Sequence, residues 1–283
     1  MSSIPWKVTK KNDCVLISHE VPSMVDWEQW HLLRSDAHWD SPQCNRTLEK
    51  RHLDEAVTRN ASIIDCGDMF DAMQGRGDAR RSMAEMRKEH MLPEYFTALQ
   101  NDHAEHLAPY AANIAYLGQG NHETAVLKHN GIALTKELAR RLRVEHGSQV
   151  IAGGYEQYLR FKFRFGGTER HSKLLFITHG AGGASEATKG TIKISRRAAN
   201  KPDADIYASG HTHHAWVALD TREHLSTAGK VYESDAWHVQ ICGYKFRGDF
   251  EVEREMAHKP TGAWWLIFKC RNKQLDVNVL RAQ

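Results

Sequence analysis

Apolar and polar positions along the chain fall into a recurring unit: a short apolar run that stops at a cluster of Asp, His, Asn and Gly. The runs are WHLLR (30–34), ASIIDC (61–66), NIAYL (113–117), KLLFI (173–177) and DIYAS (205–209). Continuous apolar runs of this length, bounded by turn residues, predict buried β-strands. YLRFKFRF (158–165) follows a different rule, with Leu159, Phe161, Phe163 and Phe165 alternating with Arg160, Lys162 and Arg164. Such a strand has one apolar and one basic face. At the far end, AWWLIFKC and LDVNVLRA predict a hairpin across RNKQ, within a run of C-terminal strands from about 215 to 283. Helical spacing occurs in LEKRHLDEAVTRN (48–60) and in TAVLKHNGIALTKELARRLRV (124–144), where Leu127, Leu134, Leu138 and Leu142 share a face. GRGDARRSMAEMRKEH (75–90) and EYFTALQNDHAEHL (94–107) predict two more helices, a helical insertion at about 72–110. Strands mixed with helices imply an α/β layered fold.

Composition narrows the class. The chain has 283 residues and no Pro-, Gly- or Ser-rich linker, so we expect a single domain over 1–283. Five cysteines without a CxxC pair argue against a zinc ribbon or a disulfide framework, and point to a reducing cytoplasm. MSSIPWKVTKKNDCVLIS lacks the apolar stretch of a signal peptide, and no segment approaches the roughly 20 apolar residues that cross a bilayer. No membrane partner is therefore expected. A net charge of +3 does not diagnose a nucleic-acid binder.

The polar clusters carry the chemistry: SDAHWD (35–40), GDMFD (67–71), GNHE (120–123), THG (178–180) and GHTHH (210–214). Two neighbouring divalent ions need nitrogen and oxygen ligands and one shared anionic oxygen, which a carboxylate such as Asp68 provides. Neutral imidazoles and an amide keep the total negative charge low, so a phosphate is attracted. An isolated HxH or an Asp opening a loop is usually an ordinary structural feature. Five such blocks in order read as one two-metal hydrolytic site. Most of the 18 histidines lie elsewhere; His90, His103, His106, His129 and His146 fall in helix-like stretches and read as solvated or packing residues.

The ordered DxH, GD, GNH, H, GHxH series over Asp36–His213 resembles the calcineurin-like metallophosphoesterase superfamily, with the look of a bacteriophage or prophage member. The resemblance implies a four-layer α/β sandwich, two mixed β-sheets flanked by helices, with the metals at one sheet edge. It implies that Asp36, His38 and His213 bind one metal and Asn121, His179 and His211 the other, with Asp68 bridging. His122 would face the phosphate as acid or charge stabiliser, and Asp71 would orient it. Two ions about 3.5 to 4 Å apart would act through a bridging hydroxide. Manganese suits these thiolate-free ligands first, with iron, zinc, nickel or cobalt as alternatives.

For the substrate, phosphodiester hydrolysis is the leading expectation, including a nuclease acting on DNA or RNA in the cytoplasm, that of the host if phage-encoded. The alternative is a phosphomonoesterase acting on a nucleotide or small metabolite. A non-catalytic binding module is a third reading, disfavoured because every expected ligand position is filled. The protein phosphatase branch fits poorly, since Ala72 and Met73 stand where its second block has Arg and Gly. Arg76, Gly182, Gly183 and Lys189 are candidate substrate-binding residues: Arg76 because it follows Asp71 closely, the others because a Gly-rich loop lets backbone N–H groups approach an anion. The basic residues at 76–88 and on 160–164 can serve a phosphate backbone or simply solvate a helix face and protect an edge strand.

Overall fold

The structure is a computed structural model and describes residues 4–73, 85–183, 185 and 187–283. Its strands form two sheets. The first runs β1 (Trp6–Lys11), β2 (Cys14–Glu20), β7 (Glu156–Phe165), β8 (Thr168–Thr178), β9 (Ile206–Ser209), β11 (Val231–Gln240) and β10 (Trp216–Leu225). The second runs β13 (Gln274–Arg281), β12 (Trp264–Arg271), β3 (Asp26–Arg34), β4 (Ser62–Asp65), β5 (Ile114–Leu117) and β6 (Ile151–Ala152). Both are mixed. β3, β4, β5 and β6 are parallel, as are β8 and β9, while β12 pairs antiparallel with both β3 and β13.

Alternation explains how the layers stack. Ile17, Phe161, Phe163 and Leu175 of the first sheet meet Leu33, Ile64, Leu266 and Phe268 of the second in a core between the sheets. The opposite face of the second sheet, with Leu32, Ile63 and Ile267, is covered by α1 (Arg46–Thr58), α2 (Tyr95–Leu107), α3 (Asn121–Asn130) and α4 (Leu134–His146). On the first sheet's outer face a small apolar cluster of Phe176, Ala204, Tyr207 and Ala236 is buried, with His238 stacked on Tyr207, beside the short α5 (Lys193–Asn200). The result is the expected sandwich of two mixed sheets flanked by helices, with one outer layer thin. Among the described residues, no helix is long and apolar enough to cross a membrane.

Three local expectations change. The amphipathic stretch 124–144 is two helices, because Gly131 takes the left-handed conformation (φ 72°) and its N–H caps α3 by donating to Leu127 C=O. Leu134, Leu138 and Leu142 are buried on α4, whereas Leu127, on α3, is 39% exposed. Second, β7 is not an edge strand but lies between β2 and β8. Its basic face is engaged locally: Lys162 with Glu169 at 2.8 Å, Arg160 with Ser172 at 3.4 Å and Arg164 with Glu20 at 3.7 Å. Third, the basic helix does not continue to His90, since Lys88–His90 is a single 3₁₀ turn. Pro93 disfavours helical backbone at Leu92 and removes a donor, which stops the turn. The rest of that segment, with Arg76, Arg80 and Arg81, lies outside the described residues.

A buried ion cluster anchors the strand ends where the polar blocks begin. Arg34, the last residue of β3, reaches Asp65 at the end of β4 and Glu49 on α1, each at 2.6 Å. All three are fully buried, so the arginine ties two strands and a helix together directly beneath the loops that follow.

Candidate metal centre

Parallel pairing decides where the polar blocks arrive. Because β3, β4 and β5 run side by side in one sheet and β8 and β9 in the other, their C-terminal ends open on one rim. The rim is therefore shared by both sheets and not confined to the edge of one. Loops beyond these ends are laced by backbone bonds: Asp36 N–H donates to Gly67 C=O, His38 N–H to Asp68 C=O and Gly210 N–H to His179 C=O. Glu123, fully buried at the start of α3, accepts from the N–H groups of Asp68, Phe70 and Gly120. Asp40 does the same for Asp71 and Ala72.

The side chains converge into three interlocking groups. Asp36, His38 and His213 form one, Asp68, His179 and His211 another, and His38, Asp68 and His122 a third; within each group the potential ligand atoms lie within 4.8 Å of one another. Asn121 joins the second, its Oδ1 3.1 Å from His179 Nε2. Asp36, His38, Asp68, His211 and His213 all have positive φ, between 46° and 72°. Left-handed backbone at a non-glycine residue costs on the order of 1–3 kcal/mol and persists only where surrounding contacts enforce it. Two glycines make the convergence possible: a Cβ at Gly67 (φ 109°) would strike the Gln119–Gly120 backbone, and one at Gly243 (φ 78°) would strike Asp36.

Outer contacts aim the imidazoles. His179 Nδ1 faces Cys66 C=O at 3.3 Å, so that nitrogen carries the proton and Nε2 points at Asp68 Oδ2, 2.9 Å away. His38 Nδ1 lies 2.7 Å from Asp71 Oδ1 as an ion contact and not an aligned hydrogen bond, and its buried Nε2 likewise has no hydrogen-bond partner among the described residues. A divalent cation suits that orphaned nitrogen. The donor set, imidazole nitrogens and carboxylate or amide oxygens without thiolate, fits such an ion equally well.

Electrostatics agree with cation binding. Burial alone would raise the Asp68 carboxyl and lower the His179 imidazole. Their proximity wins in both cases: His179 and His122 hold Asp68 well below the ordinary range, and Asp68 with Asp36 lifts His179 to about 10. The proton held on His179 occupies the place a metal ion competes for. Asp36 is likewise brought to about 2, against burial, by His213 and His179. His38 moves the other way, lowered to about 4 by burial, which keeps its imidazole neutral and available as a ligand.

Asp71 is placed differently from the expectation. Its carboxylate approaches His38 at 2.7 Å and Lys245 Nζ at 3.1 Å through each oxygen, but His122 Nδ1 only at 3.8 Å. Its backbone carbonyl, not its carboxylate, accepts from His122 Nδ1 at 2.5 Å. Despite burial, Lys245 and His38 hold the Asp71 carboxyl far below the ordinary range. Lys245 escaped the sequence reading because it is 174 residues away from Asp71. Its segment does show a signal, basic residues two apart around an aromatic in Lys245–Phe246–Arg247.

Beside His211 and His213 a cleft of about 250 Å³ opens, lined also by Gly182, Gly183, Lys245, Arg247, Glu251 and Lys259. Of the glycines in the loop after His179, Gly182 and Gly183 are the two in this lining. Lys189 does not line this cleft; it is exposed, and its carbonyl accepts from Trp216 Nε1.

No protein-family model matches the chain, and no curated protein matches it. Solved structures match at low identity. A conserved uncharacterized protein from Streptococcus pneumoniae TIGR4, a predicted phosphoesterase, is 14% identical over 90% of both chains with a TM-score of 0.35. Wild-type Vps29 complexed with zinc from Entamoeba histolytica is 10% identical over 89% of this chain and 99% of that one, TM-score 0.36. GAP50, the anchor in the inner membrane complex of Plasmodium, is 10% identical over 90% and 84%, TM-score 0.42.

Proposed function

We propose that the chain is a dinuclear metal-dependent phosphoesterase acting on phosphodiester bonds. The observation that carries this reading is the interlocked donor set, three groups that share His38 and Asp68 and are fed from both sheets. Asp36, His38 and His213 would hold one ion, Asn121, His179 and His211 the other, and Asp68 both. Such ions supply a hydroxide nucleophile at neutral pH and offset the charge of the phosphate. Manganese is our first choice, with iron, zinc, nickel and cobalt served by the same donors.

The chain's own residues do the remainder. Asp71 fixes the tautomer of His38, and Lys245 balances the Asp71 charge so that the pair stays buried at low cost. His122 donates from Nδ1 to the Asp71 carbonyl, which leaves Nε2 at the site, 3.8 Å from Asp68 Oδ2. As an imidazolium it can give the Nε2 proton to a leaving alkoxide; as a neutral ring it has no proton there to give.

Metal-reconstituted protein assayed in parallel on bis(p-nitrophenyl) phosphate, p-nitrophenyl phosphate, cyclic nucleotides and single- and double-stranded DNA tests the reading. Metal-dependent cleavage of the diester is expected. A monoester preference of tenfold or more would move the function to a phosphomonoesterase, and a protein that binds metal but cleaves none of these would be a binding module.

A further inference from the structure

The cleft beside His211 and His213 carries three cations, and they are not equivalent. Lys245 Nζ is committed to both carboxylate oxygens of Asp71. Among the described residues Lys259 Nζ contacts a neutral group, the carbonyl of Thr212 at 2.9 Å, the residue between His211 and His213. Arg247 donates to the Glu251 backbone carbonyl at 3.3 Å, while its Nε is buried with no hydrogen-bond partner among the described residues. Glu251, the one acidic residue lining the cleft among the described residues, turns its Oε2 to the Gly248 N–H at 3.0 Å. Among the described residues neither Arg247 nor Lys259 forms an ion pair with a carboxylate.

A guanidinium that lines a cleft without a carboxylate partner offers a forked donor, and beside an ammonium it matches the oxygens of a phosphoryl group. The cleft begins at the metal-site histidines, so a group bound there sits next to the reacting phosphate and does not replace it. Resting on the phosphodiesterase reading above, we infer that this wall is a second anion subsite. The substrate then carries a further phosphoryl group close to the scissile one. Arg247 and Lys259 bind that second group and set specificity; neither touches the reacting atoms.

A chromogenic pair isolates the effect: thymidine 5′-(p-nitrophenyl phosphate) with and without a 3′-phosphate, which share leaving group, base and scissile diester. The 3′-phosphate is expected to raise kcat/KM about tenfold or more, mainly through KM, and Arg247→Gln or Lys259→Met to bring the ratio of the two substrates toward one. Pyrophosphate should compete better than inorganic phosphate in the wild type. If the wild type cleaves both compounds equally well, the subsite is wrong while the phosphodiesterase reading stands. If it cleaves neither with metal loaded, the phosphodiesterase reading itself fails. The wild-type comparison needs no variant to fold, and metal content measured on each variant separates loss of the subsite from loss of the centre. A short oligonucleotide carrying the same 5′ ester shows whether the second phosphate belongs to a strand or to a small nucleotide: a further tenfold gain over the bisphosphate assigns it to a strand, and no further gain to a small nucleotide. A ratio left unchanged by both substitutions overturns the assignment of these residues.

Discussion

Asp68 is the residue on which the proposed centre turns, because its Oδ2 lies 2.9 Å from His179 Nε2 and 3.8 Å from His122 Nε2 while its Oδ1 accepts from the His122 backbone N–H at 2.9 Å. Asp68→Asn should abolish hydrolysis and lower bound metal; full occupancy with near-normal turnover would remove the shared-ligand role. His122→Ala should slow turnover on the order of 10²-fold with both ions retained, read from kinetics and metal analysis on one sample. Since His122 also groups with His38 and Asp68, loss of an ion in that variant would make it a ligand instead. Asp71→Asn separates the two ways this residue touches the site. If its carboxylate sets the His38 tautomer, metal affinity should fall about 10- to 100-fold; if only its backbone carbonyl matters, a metal titration will match the wild type. The donor types that converge here were legible in the sequence because few side chains can bind hard and borderline cations, and they follow the apolar runs that end at this rim. Which imidazole the Asp71 carboxylate meets was not, for His38 and His122 differ there by about an ångström.

At the scale of elements, apolar periodicity located the strands well and failed at junctions. Residues 124–144 keep a helical pattern across Gly131, and only the left-handed turn there shows that α3 and α4 are separate. Gly131→Ala tests this by sign. A continuous helix would gain about 0.5–1 kcal/mol from the change, whereas the left-handed cap should lose about 1–2 kcal/mol, measurable by urea unfolding. Leu138, fully buried on α4, should cost about 2–5 kcal/mol when cut to Ala, against little for the half-exposed Leu127. The alternation in β7 holds for the buried Leu159, Phe161 and Phe163 but not for Phe165, which is exposed at the strand's end, and strand order is a long-range property. Nothing local to YLRFKFRF announces that β2 and β8 lie on either side of it.

For the whole molecule, the core between the sheets contains two histidines, His19 and His31, packed against Phe161. Burial lowers His19 from 6.5 to about 4 and also holds His31 well below 6.5. The unfolded chain therefore takes up protons first, so the stability these residues allow is complete above about pH 6.5 and is lost as pH falls toward 4. Thermal unfolding at pH 7.5 and 5 should show the loss, and His19→Phe should shrink the difference between the two; an unchanged difference would assign the acid sensitivity to other groups. The same core records how the chain is threaded. β1 and β2 belong to the first sheet, β3 to β6 to the second, β7 to β11 to the first again, and β12 and β13 to the second. Neither sheet is thus written as one continuous passage. During synthesis β3, whose end leads into Asp36, waits with one side open until β12, which follows β11 in the chain, emerges from the ribosome. Up to that moment the nascent chain presents an unpaired strand edge to its surroundings, the condition under which chaperone capture and misassembly compete with folding.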